Sequence, residues 1–190
     1  MQIVLASGSP RRKQLMEMLG LKDLTIIPAK GEEIAPEGAA PQDLVMALAA
    51  HKAKEVAAQC APDALVIGAD TIVWVDDRPF GKPHDRREAV NMLTTLSGRS
   101  HQVYTGLAIV RGGETFTRWE ESVVHFRPLS NDEIERYVDS GEPMDKAGAY
   151  GAQGLGALLV ERIEGDFFNV MGLPLCRLGL MLKEQGVVIL

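Results

Sequence analysis

The sequence lacks an excess of basic residues, and this makes nucleic-acid binding a poor expectation. Its 190 residues include 20 Lys and Arg against 26 Asp and Glu, which gives a net charge of −6. Proteins that bind DNA or RNA neutralise phosphates with clustered cations and often stack bases on aromatic side chains. No stretch of the sequence combines clustered Lys or Arg with aromatic side chains. We therefore expect any polyanionic ligand to bind a local pocket of cations or a metal ion.

Cysteines and long apolar runs are also scarce. Cys60 and Cys176 are far apart, so neither a disulfide framework nor a metal-ligand spacing is expected. Both stand in apolar stretches, which predicts buried free thiols. The apolar segment 1–6 is too short for a signal-peptide core or a membrane span. We expect a protein of the reducing cytoplasm with no membrane partner.

The composition is that of an ordinary globular protein, with 46% hydrophobic and 24% charged residues. Strands and helices alternate along the chain, with some hairpins among them. This order predicts an α/β fold, a mixed twisted sheet with flanking helices, in a single domain over residues 1–190. The patterns predict strands at 2–6, 65–75, 101–110, 115–126 and 155–163, and helices at 11–19, 42–59, 85–96, 130–140 and 174–185.

The turn between the first strand and the first helix could bind an anion. Ser9 is a natural N-cap and Pro10 a natural first helical residue. Three cations follow in the first turn, at 11–13, where they oppose the helix dipole. A bound polyphosphate would remove this conflict, and Ser7 would add a hydroxyl. A capped helix with solvated cations explains the pattern equally well, so both interpretations stay open.

Asp70 is the most unusual residue because it stands in the middle of an apolar strand. A buried carboxylate is costly unless it is paired, hydrogen-bonded or metal-bound. Gly68 and Ala69, just before it, predict room for a ligand. A structural carboxylate in a salt bridge is the alternative. We favour a functional role because unpaired buried acids are rare.

Two lysines stand where a ligand could meet them. Lys52 interrupts the apolar stripe of the second helix, so its side chain either snorkels at an edge or points into a pocket. Lys82 lies in an extended loop between Gly81 and Pro83, where solvent exposure is the ordinary outcome. Neither lysine identifies a site by itself.

Two further segments could belong to a site. The glycine-rich stretch 146–156 contains Gln153 and could cradle a ligand or form a tight turn, although it lacks the P-loop ending. Glu32 and Glu33 precede the second helix and alone would be acidic surface. If they meet Asp70, the carboxylates could hold Mg²⁺ or Mn²⁺.

Taken together, these segments resemble the Maf family over nearly the whole chain and in the expected order. The matching stretches are 5–12, 68–73, 81–83, 96–98, 141–154 and 169–175. Several ordered motifs are far more specific than any one of them. The resemblance implies a fold like that of inosine-triphosphate pyrophosphatases, with two lobes around a cleft.

The resemblance also implies an active site and a cofactor. Asp70 is expected to be the catalytic carboxylate, as proton acceptor or metal ligand, and Glu33 its partner in holding Mg²⁺ or Mn²⁺. The phosphates of a nucleoside triphosphate are expected to bind Arg12, Lys52 and Lys82, with Ser7 beside them. The family members are house-cleaning enzymes that release pyrophosphate.

Three positions match the pyrimidine group of the family. These are Arg11, Thr71 and Gln153, and they imply hydrolysis of dTTP and UTP, with modified pyrimidine triphosphates as further candidates. Relatives suggest a homodimer. The alternative function is that of a non-catalytic, nucleotide-binding regulator of septum formation and cell division.

Overall fold

A computed structural model describes residues 1–21, 24–31 and 38–190 of the chain. Its strands are Ile3–Leu5 (β1), Leu24–Ile26 (β2), Leu65–Val75 (β3), Arg78–Phe80 (β4), Ser100–Arg111 (β5), Glu114–Phe126 (β6) and Val160–Gly165 (β7). Its α-helices are Pro10–Met18 (α1), Pro41–Ala57 (α2), Arg86–Leu96 (α3), Asn131–Asp139 (α4), Phe167–Val170 (α5) and Leu175–Glu184 (α6). Three 3-10 helices lie at Glu142–Asp145, Ala147–Ala149 and Gly154–Leu158.

The strands form one mixed sheet, which confirms the predicted α/β fold. The order is β2-β1-β3-β5-β6-β7, and β4 pairs with β3 outside this path. β1 pairs in parallel with both β2 and β3, whereas β4 is antiparallel to β3 and β7 is antiparallel to β6. The two-residue connection between β5 and β6 makes them the predicted hairpin.

The chain divides into two compact units, each with its own apolar core. The first unit comprises residues 1–70, 105–120 and 172–190, and the second comprises 71–104 and 121–171. One apolar cluster of the first unit consists of small and β-branched residues, such as Ala49 and Ala53 of α2, and large side chains such as Leu15 and Ile67 are also fully buried in that unit. The cluster of the second unit includes Leu93 and Phe126. The single-domain extent 1–190 stays a prediction.

Helix starts agree with the capping signals in the sequence. The Ser9 hydroxyl accepts a hydrogen bond from the Arg12 amide, and Pro10 is the first residue of α1. Ser130 and Glu133 form the reciprocal capping box of α4. The carboxylate of Asp85 caps α3 by accepting from the Glu88 amide. These helices therefore begin within a residue or two of their predicted starts.

Two glycines let the backbone of α2 approach the sheet. A Cβ at Gly68 of β3 would lie 2.2 Å from the Ala49 carbonyl oxygen, and one at Gly106 of β5 would lie 2.2 Å from that of Val45. β3 and β5 are neighbours in the sheet. The prediction that Gly68 leaves room for a ligand is therefore wrong, because the space is filled by α2.

The structure corrects two other expectations. Cys176 is exposed and Cys60 is half-buried, so the prediction of buried thiols is wrong for the first and too strong for the second. Residues 155–159 do not belong to the predicted strand 155–163, because that part of the chain forms a 3-10 helix and β7 begins only at Val160. In the described part of the chain, no helix has the length and apolar character needed to cross a membrane.

Candidate active site

Asp70 and Lys52 form a nearly buried ion pair in the first unit. The Lys52 Nζ donates to Asp70 Oδ1 at 2.5 Å, and the two side chains are 15% and 10% exposed. In this setting a charge is poorly solvated, and the ion pair offsets part of the cost of burying each group. Of the two outcomes predicted for Lys52, pointing inward is the observed one.

The position of α2 brings this lysine to the carboxylate. Leu48, Ala49, Ala53 and Val56 are buried, and Lys52 shares their side of the helix. The close packing of α2 on the sheet fixes the distance from its backbone to β3. The Lys52 side chain can therefore reach Asp70, which lies two residues after Gly68 on β3.

Arg12 donates a hydrogen bond to β3 just beyond the last residue of that strand that pairs with β1. The last pair between these strands is Leu5 with Ile67. Two residues further on, the Ala69 carbonyl accepts from Arg12 Nη1 at 2.8 Å, while Arg12 Nε donates to the Gly172 carbonyl at 2.8 Å. Arg12 thus supplies a donor to β3 next to Asp70. Its predicted role as a phosphate ligand stays a prediction.

Side-chain hydrogen bonds of Ser7 and Ser9 organise the turn before α1. Ser7 is buried, and its hydroxyl accepts from the Ser9 amide at 3.2 Å. The first turn of α1 contains no acidic residue, and the partly exposed Arg11 lies there. A positive helix N-terminus next to cations favours an anionic ligand. The roles of Ser7 and Arg11 in binding a substrate stay predictions.

In the second unit, the Lys82 loop, the glycine-rich segment and the second half of β3 lie together. The Gly148 amide donates to the Gly81 carbonyl at 3.0 Å. Gly148 has φ +69°, and a Cβ there would lie 2.8 Å from Val73 Cγ2. Lys82 itself is exposed, as the loop pattern predicts, and Thr71 is two residues before Val73. Their roles in binding a substrate also stay predictions.

An aromatic cluster in the second unit includes Tyr150 of the glycine-rich segment. His101 Nε2 and the Tyr150 hydroxyl are 2.7 Å apart, and both rings pack edge-on against Phe126 at centroid distances of 5.2 and 4.7 Å. Burial, with smaller contributions from His125 and Arg99, lowers the pKa of His101 to about 4. This histidine is therefore neutral at pH 7 and supports the core.

The sequence did not single out Glu142 and Tyr137, which form hydrogen bonds with the backbone of the glycine-rich segment 146–156. The carboxylate of Glu142 accepts from the Leu155 and Gly156 amides, and it also accepts from the Tyr137 hydroxyl. Glu142 was recognised only as part of a family motif. A carboxylate just before a glycine-rich stretch, whose amides need acceptors, was the available signal. Gln153 lies two residues before the first of these amides and is exposed.

Among the described residues, Asp70 offers the type of donor that a divalent cation prefers. The Asp70 carboxylate supplies oxygen atoms of the kind that Mg²⁺ and Mn²⁺ prefer. No group of three His, Cys, Asp or Glu side chains suited to a metal ion occurs within residues 1–21, 24–31 and 38–190. The second predicted ligand, Glu33, falls outside the described residues.

A comparison with a solved structure supports the α/β fold. The chain is similar to the structure of a HAM1 protein from Coxiella burnetii, with a TM-score of 0.54 and 17% identity. The similarity covers 97% of this chain and 99% of the other. At this level of identity it concerns the fold alone, and it confirms the expected likeness to an α/β class of known structure.

The chain belongs to the Maf family. The family model described as Maf-like protein matches residues 2–185. A relative from Symbiobacterium thermophilum, named dTTP/UTP pyrophosphatase, is 51% identical over 97% of this chain and 94% of its own length. A relative of the same name from Bacillus velezensis is 49% identical over 98% and 97%. The resemblance noted in the sequence is therefore confirmed.

Proposed function

We propose that this protein hydrolyses dTTP and UTP to the nucleoside monophosphate and pyrophosphate, as a house-cleaning enzyme of the nucleotide pool. The proposal is supported by relatives of about half-identical sequence that bear the name dTTP/UTP pyrophosphatase. The observation that carries it is the Asp70 carboxylate in an apolar strand, held by the Lys52 ammonium at 2.5 Å. Buried carboxylates of this kind are frequent in catalytic sites.

In the proposed reaction, Asp70 accepts a proton from the attacking water. The water oxygen forms a bond to the α-phosphorus, and the bond from that phosphorus to the oxygen bridging to the β-phosphate breaks. Pyrophosphate leaves with that oxygen. Lys52 holds the carboxylate in place and offsets negative charge that develops on the phosphates.

A divalent metal ion, Mg²⁺ or Mn²⁺, is part of the proposal, with Asp70 and Glu33 as the residues that would hold it. Such an ion would neutralise the triphosphate and lower the pKa of a bound water. The phosphates would also bind Arg12, Lys82 and Ser7. Arg12 would then combine this contact with its bonds to β3.

Gln153 is proposed to read the base. A single amide offers both a donor and an acceptor, which suits the uracil or thymine edge with its N3–H and carbonyl groups. Arg11 and Thr71 are proposed to assist in selecting a pyrimidine. A purine, or a base with the reverse donor pattern, would leave polar groups unpaired.

A panel of triphosphates tests the proposal directly. The protein would be incubated with natural and modified nucleoside triphosphates, with Mg²⁺, with Mn²⁺ and with a chelator, and the products scored for pyrophosphate against single phosphate. We expect pyrophosphate from dTTP and UTP only when a metal is present. Saturable binding with no product would favour the alternative, a nucleotide-binding regulator of division. Release of single phosphate would contradict the reaction.

Two further expectations stay predictions. The protein is expected to act in the cytoplasm, where nucleoside triphosphates are made and used. It is also expected to be a homodimer, which sedimentation equilibrium at several concentrations would test.

A further inference from the structure

Glu142 bonds to the glycine-rich segment at two consecutive amides. Its Oε2 accepts from the Leu155 amide at 2.9 Å, and its Oε1 accepts from the Gly156 amide at 2.9 Å. Both oxygens of one carboxylate are thus used on the residues that follow Gln153 and Gly154. Burial alone would raise the pKa of Glu142, but the bonds from Gly156 and Leu155 outweigh it and keep that pKa below its usual value.

Tyr137 connects the same carboxylate to the other side of the segment. Its hydroxyl donates to Glu142 Oε1 at 3.0 Å and accepts from the Gly151 amide at 3.3 Å. The ring belongs to the core of the second unit, which fixes the position of the hydroxyl. Residues 151 and 155–156 are therefore tied to one carboxylate, and Gln153 lies on the short exposed stretch between them.

The backbone is packed so closely around these groups that side chains are excluded. A Cβ at Gly154 would lie 2.6 Å from Glu142 Oε2, and one at Gly156 would lie 2.6 Å from the Tyr137 hydroxyl. Gly154 also has φ +67°, which L-residues rarely adopt. The two glycines let the chain fold around Glu142 and Tyr137, and Gln153 directly precedes the first of them.

We propose that Glu142 and Tyr137 are positioning residues that set the conformation of residues 151–156 and thereby determine the selection of the pyrimidine base through Gln153. This inference rests on the proposed role of Gln153. A base-reading amide needs a defined orientation, because one base edge differs from another only by the direction of its donors and acceptors. The carboxylate supplies that orientation without touching the substrate.

The test compares Glu142→Gln and Tyr137→Phe with a matched control. A glutamine has one acceptor oxygen, and its NH₂ group would face a backbone amide, so it can satisfy only part of the network. Phenylalanine keeps the core ring and removes the hydroxyl. Glu135→Gln, on the exposed side of α4 where Glu135 pairs with Arg86, makes the same charge change outside the network.

The decisive readout is the ratio of kcat/KM for UTP to that for CTP, because both bases have the same size. We expect both network variants to lower this ratio by about tenfold, mainly through KM for UTP, and Glu135→Gln to leave it unchanged. Gln153→Ala should lower it as well. Adding Glu142→Gln to Gln153→Ala should change it no further, because the two residues act as one unit.

The outcomes separate this inference from the proposed function. If Gln153→Ala lowers the ratio while both network variants leave it unchanged, the positioning role is overturned and base reading by Gln153 stands. A purely structural role would reduce thermal stability and both kcat/KM values together, with an unchanged ratio, and would also overturn it. Loss of the native circular dichroism in both variants would also overturn the positioning role. If Gln153→Ala has no effect on the ratio, the base-reading proposal itself fails.

Discussion

At the scale of single residues, the Lys52–Asp70 pair combines stability with chemistry. Each side chain stands in an apolar element, and each would be costly there without the other. A strand carboxylate that already faces a cation needs little reorganisation when a phosphate approaches, because the fixed charges are in place before the ligand arrives. The pair is therefore expected to affect folding and turnover independently.

Removing the lysine should destabilise the protein. We expect Lys52→Met to lower the free energy of unfolding by about 3 kcal/mol, since the largely buried Asp70 carboxylate loses the ammonium group of its ion pair. The matched control is Lys54→Met, because Lys54 lies on the same helix and is exposed. Chemical denaturation at pH 7 measures both. Equal effects of the two substitutions would contradict the account of the pair.

His101 should make stability depend on pH. Its folded-state pKa of about 4 lies below the ordinary value, so the unfolded chain binds a proton first as pH falls. Stability is therefore complete above about pH 6.5 and declines by about 3 kcal/mol on approaching pH 4. His101→Gln, which cannot titrate, should reduce the slope of unfolding free energy against pH in this window. Identical slopes would show that the histidine does not contribute.

At the scale of elements, the packing of α2 on the sheet positions the site. Gly68 and Gly106 provide the space for the backbone of α2, and a Cβ at either would overlap a carbonyl oxygen of that helix. The distance between α2 and β3 in turn determines how Lys52 meets Asp70. A change in packing should therefore alter the site even when no site residue is replaced.

Gly68→Ala tests this dependence. We expect a loss of about 1–3 kcal/mol in unfolding free energy, because overpacking forces the helix away from the strand. A decrease in kcat should accompany it. Gly179→Ala is the control, since Gly179 lies within α6 and a Cβ there meets nothing within 4 Å. That substitution should stabilise the helix by about 0.5–1 kcal/mol. A well-tolerated Gly68→Ala would refute the packing argument.

The same elements show what the sequence could predict. β3 and the capped helices α3 and α4 were predicted within one or two residues, because apolar period and capping chemistry are local signals. The chain turns after β3 at Asp76 and Asp77, and both residues have positive φ. The short strand β4 after it was missed, because three residues with a proline carry almost no pattern.

Other features depended on contacts between distant parts of the chain. The role of Gly68 could not be predicted, because Ala49 and Ala53 of α2, which fill the space beside it, reach it only when the chain folds. The segment 155–159 looked like a strand, but the Glu142 carboxylate accepts from its first two amides, those of Leu155 and Gly156. The anomaly of Asp70 was visible in the sequence, whereas its pairing with Lys52 was one of two outcomes that local pattern left open.

At the scale of the whole molecule, the chain passes between the two compact units four times. The first unit is assembled from three separate segments and the second from two. Neither unit can therefore fold from one continuous piece of chain. We expect a single cooperative unfolding transition, with the same midpoint by far-UV and near-UV circular dichroism. Two resolved transitions would show that the units unfold independently.

The central claim for the whole molecule is that Asp70 is present for chemistry and that the fold holds it ready. The most direct measurement is pyrophosphate release from UTP and dTTP by Asp70→Asn, with the circular dichroism and thermal midpoint of the same preparation recorded. The account predicts a native fold and a loss of turnover of at least about 100-fold, because the amide cannot accept the proton. Near-normal release of pyrophosphate by a folded Asp70→Asn protein would contradict it.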